Sequence, residues 1–223
     1  MLRKLATALG LSAALAAPAA AAYADPATQR LYELLFCDRA ALYRPAPDAE
    51  AAAWQRLLFA PAADAAAVRA LAEDSGQESR VRALAYGWLR ERGQPVPGAE
   101  LLGVVVEVVL PGGLDTLAAY RDGRVRYLHH SGRSVLVDAR VPALDPLVDA
   151  LLGASARALR EARPWQRTEA SAPGPGQVRI TMLTPGGLRR IEGPFDGVQR
   201  DPAAGPALLA ASRLLEQLVR SLK

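Results

Sequence analysis

The sequence predicts an α+β protein in which a small helical bundle precedes an antiparallel β-meander domain with two amphipathic helices. Apolar residues recur at a spacing of three and four through residues 25–97, which is typical of amphipathic helices. From residue 98 the period changes to two, and β-branched runs alternate with Gly-rich turns. Of 223 residues, 51% are apolar and 22% charged, so the chain can bury a hydrophobic core.

The first 24 residues have the pattern of a secretory signal peptide. Residues 1–4 are basic, residues 5–17 form an apolar run, and small residues follow Pro18. Ala22-Tyr23-Ala24 is the preferred cleavage motif, and a cut after Ala22 is the second choice. The apolar run is shorter than the ~20 residues of a spanning helix, so we expect a periplasmic or secreted protein without a transmembrane anchor. A retained membrane anchor and an uncleaved cytoplasmic regulator are the alternatives.

Residues 25–97 are predicted to form a helical module of four short helices. Pro and Gly residues separate these helices, and Asp side chains stand at two of their starts as predicted N-caps. The predicted helices are 27–43, a segment that Asp48 caps and Pro61 ends, a short segment that Asp64 caps, and 78–92. The single cysteine, Cys37, lies among apolar residues of the first helix, which favours burial over a reactive thiol.

Residues 98–223 are predicted to form the α+β domain. Four strands make a meander, followed by a helix, a hairpin and a final helix. The predicted segments are strands 104–110, 114–121, 124–130 and 134–138, helix 141–159, strands 178–184 and 188–192, and a last helix whose apolar stripe runs through Leu208, Ala211, Leu215, Leu218 and Leu222. We expect the stretch 163–176 to be loose, because it carries three prolines.

The turn lengths suggest which side chains share a face of the meander. A three-residue loop at 111–113 and a two-residue loop at 122–123 put Val104, Val106, Ala118, Tyr120, Val125, Tyr127 and Leu136 on a core face. The opposite face is then half polar. It carries Glu107, Asp115, Arg126, His130 and Arg133.

This half-polar face supplies the candidate site. A carboxylate beside an imidazole can orient a general base, so Asp115, His130 and Glu107 are the catalytic candidates. An Arg can hold an anion and an exposed Trp can anchor a partner, so the binding candidates are Arg126, Arg133 and Trp165. The same pattern is also typical of a solvated ion-pair ladder without function.

Several site classes are not expected. His129 and His130 are neighbours in a predicted strand and would point to opposite faces, so we expect no metal site unless the turn distorts the strand. No cofactor is expected, because the sequence has no Gly-rich phosphate loop, paired-Cys motif, HExxH or Gly-x-Ser-x-Gly. The net charge is +4, but the 25 Arg residues are scattered among carboxylates, which argues against nucleic-acid binding.

Three segments resemble a group of uncharacterised exported proteins from GC-rich proteobacteria. They are residues 101–138 with the core Leu-Asp-Thr-Leu-Ala-Ala-Tyr-Arg-Asp-Gly, residues 182–188 and residues 192–195. The resemblance covers most of the mature chain, but it implies no activity and no site residues. The expected function is therefore an exported interaction or ligand-binding protein that holds a periplasmic protein or a small ligand. The alternative is a hydrolase that uses Asp115, His130 and Glu107.

Overall fold

A computed structural model describes residues 21–98, 100–167 and 172–221. Most of the predicted signal peptide, residues 1–20, lies outside the described residues, as does Leu222. The helices are α1 (Pro26–Leu34), α2 (Ala53–Leu58), α3 (Ala65–Glu73), α4 (Ser79–Glu91), α5 (Asp145–Ala158), α6 (Phe195–Arg200) and α7 (Gly205–Arg220), with a 3₁₀ helix at Ala40–Tyr43. The strands are β1 (Gly103–Leu110), β2 (Gly113–Tyr120), β3 (Val125–Leu128), β4 (Ser134–Val137), β5 (Arg163–Trp165), β6 (Gln177–Thr184) and β7 (Gly187–Pro194).

All seven strands belong to one antiparallel sheet. Its order is β4-β3-β2-β1-β6-β7-β5, so the predicted meander is confirmed and the second hairpin joins it along β1. Helices come first and strands follow, which confirms the α+β fold class.

The sheet is the middle of three layers. Helices α5 and α7 cover one face, where they pack on aliphatic side chains such as Val104 and Val106. The amino-terminal helices cover the other face and share one buried cluster with Val105 and Tyr120. This second face carries polar side chains as predicted, but it is not solvated, because the helical module packs on it.

Both predicted turn lengths are wrong by one residue. Leu110 pairs with Gly113, so the first loop holds only two residues, and Gly113 adopts a φ of +130° that suits glycine. The Tyr120 N–H donates to the Arg124 carbonyl at 3.0 Å, so the second loop holds three residues. The two errors cancel for β3 and invert β2, which moves Asp115 to the face of α5 and α7.

Strand β4 is also inverted relative to the prediction. Val125 pairs with Val137, so Val135 and Val137 face the α5 and α7 layer while Leu136 is exposed. This short strand forms one edge of the sheet.

The first helix ends nine residues earlier than predicted, at Leu34. Cys37 adopts the left-handed region at a φ of +54°, which stops the helix, and the Tyr43 hydroxyl donates to the Leu34 carbonyl. Cys37 is buried, and that burial raises the pKa of its thiol to about 12. The thiol is therefore protonated at neutral pH.

Of the two predicted N-caps, one is confirmed and the other is wrong. Asp64 caps α3, since its carboxylate accepts the Ala67 N–H at 2.9 Å. Asp48 does not cap α2, which begins only at Ala53, where the Gln55 side chain accepts the Ala52 N–H. In the part of the chain that the structure describes, no helix is both long enough and apolar enough to cross a bilayer.

Candidate functional site

Two histidines and an aspartate meet at one edge of the sheet, where β3 leads into β4. Strand β3 ends at Leu128, so His129 and His130 lie in the following turn. Their imidazole rings stack with centroids 3.8 Å apart and planes 35° apart. The prediction that they point to opposite faces is wrong, because it assumed a strand through residue 130. We call Asp115, His129 and His130 the edge cluster.

Asp115 holds the edge cluster together. Its Oδ1 accepts the His130 backbone N–H at 2.9 Å and lies 2.8 Å from His130 Nδ1. Its Oδ2 accepts the Tyr127 hydroxyl at 2.7 Å. Partial burial raises the pKa of Asp115, but these hydrogen bonds outweigh it and the pKa is lowered overall. The cluster therefore contains an ionised carboxylate in contact with an imidazole.

The donor set of the edge cluster is that of a metal site. One nitrogen from each imidazole and one oxygen of Asp115 all lie within 4.8 Å of one another. Two imidazoles and a carboxylate are ligands that zinc and related divalent ions use.

A cleft of about 690 Å³ opens beside His129, along the outer side of β4. Two of its wall residues are apolar side chains that are unusually exposed, Leu136 at 46% and Val219 at 41%. We call it the β4 cleft. Its lining residues are Tyr127, His129, Arg133, Ser134, Val135, Leu136 and Val219.

The polar rim of the β4 cleft is cationic. Arg133 donates through Nε to the Ser131 hydroxyl at 3.3 Å, and it makes no ion pair with any residue that the structure describes. Among the residues that the structure describes, no carboxylate lines the cleft. This rim can therefore accept an anion without displacing an existing partner.

Glu107 is not part of this site. It is fully buried beneath the amino-terminal helices, where it accepts the Tyr32 hydroxyl at 2.7 Å and lies 3.4 Å from the Arg179 guanidinium. Burial raises its pKa to about 7, although Arg179 and Tyr32 act in the opposite direction. Because Glu107 pairs with Thr116 and Asp115 pairs with Val108, the two carboxylates lie on opposite faces of the sheet.

Arg126 and Trp165, two predicted binding residues, are engaged within the fold. Arg126 is buried and pairs with Asp138 rather than with Glu107. Trp165 lies in edge strand β5, where its ring packs on Phe36 at 6.1 Å between centroids and carries the Arg179 and Arg190 guanidinium groups.

A second large cleft lies near Arg179, with a volume of about 790 Å³. Its charged groups have both signs and neutralise one another: Glu192 contacts Arg179 at 2.9 Å and Arg190 at 3.1 Å. This charged cleft therefore offers no preference for an anion or a cation. It is lined by Glu161, Arg163, Ala172, Arg179, Arg190, Ile191, Glu192 and Asp201.

The sequence analysis does not expect His129 in the site, and it gives no sign of the contribution of α7. The Ser131-Gly132 turn signal could have shortened β3 and brought the two histidines into one loop. Val219 gives no local signal, because its position at the cleft depends on how α7 packs on the sheet.

Comparison with known proteins adds no further candidates. A scan against protein-family models finds no matching family, and a search of curated proteins finds no similar sequence. The function is therefore inferred from the geometry of the edge cluster and the β4 cleft.

Proposed function

We propose that this protein is an exported ligand-binding protein whose β4 cleft holds a small amphipathic anion. The observation that carries the proposal is an exposed apolar wall joined to a cationic rim that contains no carboxylate. We take a medium-chain carboxylate as the representative ligand.

The two halves of the β4 cleft match the two halves of such a ligand. Leu136 and Val219 lose water contact when an alkyl chain covers them, which is favourable by about 25 cal/mol per Å² of apolar surface. The Arg133 guanidinium has the planar fork of donors that fits a carboxylate. A volume of about 690 Å³ lies within the usual range for small-ligand sites.

The packing of Tyr23 bears on export and favours the cut after Ala22. Tyr23 is buried, with its hydroxyl 2.9 Å from the Thr116 hydroxyl and 3.1 Å from the Leu128 carbonyl oxygen. A cut after Ala24 would remove this core residue, whereas a cut after Ala22 keeps it as the first residue. We expect the periplasmic protein to have an intact mass that begins at Tyr23. A mass beginning at Asp25 would contradict this cut, and an uncleaved chain would contradict export.

A hydrolase is the second candidate, and the Asp115–His130 contact of 2.8 Å favours it. Against it, Glu107 lies on the other face of the sheet, and the cavity that Asp115 lines measures only about 60 Å³. Ester hydrolysis by the wild type that disappears in His130→Ala would support this candidate. Equal hydrolysis by the variant would eliminate it.

Isothermal titration with sodium decanoate tests the ligand proposal. We expect binding by the wild type, and at least a tenfold loss of affinity in Leu136→Asp and in Arg133→Gln. The first substitution removes an apolar contact with the alkyl chain, and the second removes the cation that pairs with the carboxylate. Leu110→Asp is the matched control, because Leu110 is exposed at 42% outside the cleft. Equal affinity in all four proteins, or no binding by the wild type, would overturn the proposal.

A further inference from the structure

We propose that the edge cluster is a binding site for a divalent transition-metal ion, with Asp115, His129 and His130 as its protein ligands. This site shares His129 with the β4 cleft, but it rests neither on anion binding nor on export. The cleft proposal concerns Arg133 and the apolar wall, whereas the metal proposal concerns the imidazole and carboxylate atoms.

The three ligand atoms are already gathered to nearly the spacing that an ion requires. In a tetrahedral site with bonds of ~2.1 Å, ligand atoms lie ~3.4 Å apart. Here they all lie within 4.8 Å of one another, and Asp115 Oδ1 is 2.8 Å from His130 Nδ1. Shifts of about 1 Å by side chains at a turn would complete the coordination.

Two of the ligands are already oriented by neighbouring groups. The Tyr127 hydroxyl holds Asp115 Oδ2 at 2.7 Å, and this leaves Oδ1 directed at His130. Ser131 Oγ lies 2.8 Å from His129 Nδ1, and the Ser131 backbone N–H donates to the same nitrogen at 3.2 Å, so Ser131 fixes the orientation of this ring. Such outer contacts fix the tautomer and orientation of ligands in metal sites.

Partial burial also suits the proposal. The His130 side chain is 29% exposed and the Asp115 side chain 14%, so an ion can enter without unfolding the turn and is still shielded on one side. Two imidazoles favour Zn²⁺, Ni²⁺ or Cu²⁺ over Mg²⁺ or Ca²⁺, which prefer oxygen ligands. Three protein ligands leave a fourth position for water or an external ligand.

Titration of the untagged, chelator-treated chain with zinc chloride tests the proposal. The chain has two histidines in all, so a histidine tag must be absent. We expect one zinc ion per chain and a loss of affinity of about tenfold or more in His129→Ala and in His130→Ala. Asp149→Asn, which removes an exposed carboxylate of α5, is the matched control and should bind like the wild type.

Binding of Co²⁺ by the wild type tests the proposal even if a histidine variant does not fold. Co²⁺ bound by the wild type should give the visible absorption of a four-coordinate site with nitrogen and oxygen ligands, and excess zinc should remove it. Absence of zinc binding by the wild type, unchanged affinity in folded His129→Ala and His130→Ala, or no such cobalt spectrum would overturn the proposal. Decanoate binding that persists without zinc binding would refute the metal site alone.

Discussion

The two faces of the sheet are held by different chemistry. The face under α5 and α7 is lined by aliphatic side chains such as Val104, Val106, Ile180 and Met182. The face under the amino-terminal helices carries tyrosines and buried charged or polar side chains, which are Glu107, Thr116, Arg126, Arg179 and Thr181. One face of the sheet is therefore covered through apolar packing, whereas the other also buries polar and charged groups.

The buried charged side chains among the described residues are paired within the fold rather than available to a ligand. The Tyr32 hydroxyl of α1 donates to Glu107 in the sheet, Arg167 pairs with Asp38 just beyond α1, and Arg179 pairs with Glu107 and Glu192 on neighbouring strands. Apolar packing is not directional, whereas these contacts specify how α1 lies on the sheet. The groups that can serve a ligand lie instead at the sheet edge, where Arg133 has no ion-pair partner among the residues described.

Asp38→Ala should have the largest effect on the polar face. The Arg167 guanidinium is buried, donates to both Asp38 oxygens at 2.9 and 3.0 Å and stacks on Phe36. Removing the carboxylate leaves a buried charge unpaired, which costs about 3–5 kcal/mol of unfolding free energy. Urea unfolding measures it, and the double variant Asp38→Ala with Arg167→Met should recover much of the loss. No loss in the single variant would contradict the structural role.

On the aliphatic face, Leu151→Ala should cost about 3 kcal/mol. Leu151 is fully buried in the layer of α5, and its truncation leaves a cavity rather than an unpaired charge. We expect the same loss at pH 5 and pH 8 in urea unfolding, since the substitution removes no titratable group. A loss of unfolding free energy that changed strongly with pH would contradict this difference between the two faces.

Glu107 should give the polar face a pH dependence. Its pKa is raised from the ordinary 4.5 to about 7, so the folded state binds more protons than the unfolded state between these values. The stability from this group is therefore present below pH 4.5 and is lost as the pH rises through 7, by about 3 kcal/mol. Glu107→Gln should remove this decline when unfolding is compared at pH 5 and pH 8. An unchanged pH profile in the variant would contradict the assignment.

The smallest effect is expected from Tyr23→Phe, at about 1 kcal/mol. The substitution keeps the ring and removes the hydroxyl that contacts Thr116 and Leu128. Thermal unfolding of the mature protein should detect it. Identical unfolding of the variant and wild type would indicate that Tyr23 does not contribute in the mature chain.

Most elements of this fold could be predicted from sequence, but β5 lies in the stretch expected to be loose, α6 was not predicted, and the faces of β2 and β4 are the reverse of those expected. Periodicity and turn residues locate the four meander strands and the second hairpin, because these signals are local. A one-residue error in the first loop was enough to invert β2 and to place Asp115 on the wrong face. Loop length depends on backbone dihedrals, such as the φ of +130° at Gly113, that composition does not specify.

The site was predictable only in part, for a related reason. The contact of Asp115 with His130 follows from the hairpin sequence, and the structure brings these two together at 2.8 Å. The predicted loop length places Asp115 on the face of Glu107, whereas β2 is inverted and the amino-terminal helices cover Glu107. The sequence predicts a β3 that is two residues longer than it is, which directs His129 and His130 to opposite faces and so leaves His129 out of the predicted site.

The most direct test of the account is an amide-shift titration of the ¹⁵N-labelled mature chain with sodium decanoate. If the sheet edge is the ligand site, the perturbed amides should cluster at residues 129–137 and at the end of α7, near Val219. Amides around Arg179 and Arg190 in the charged cleft should not move. Perturbations centred on that cleft, or none at saturating decanoate, would contradict the account.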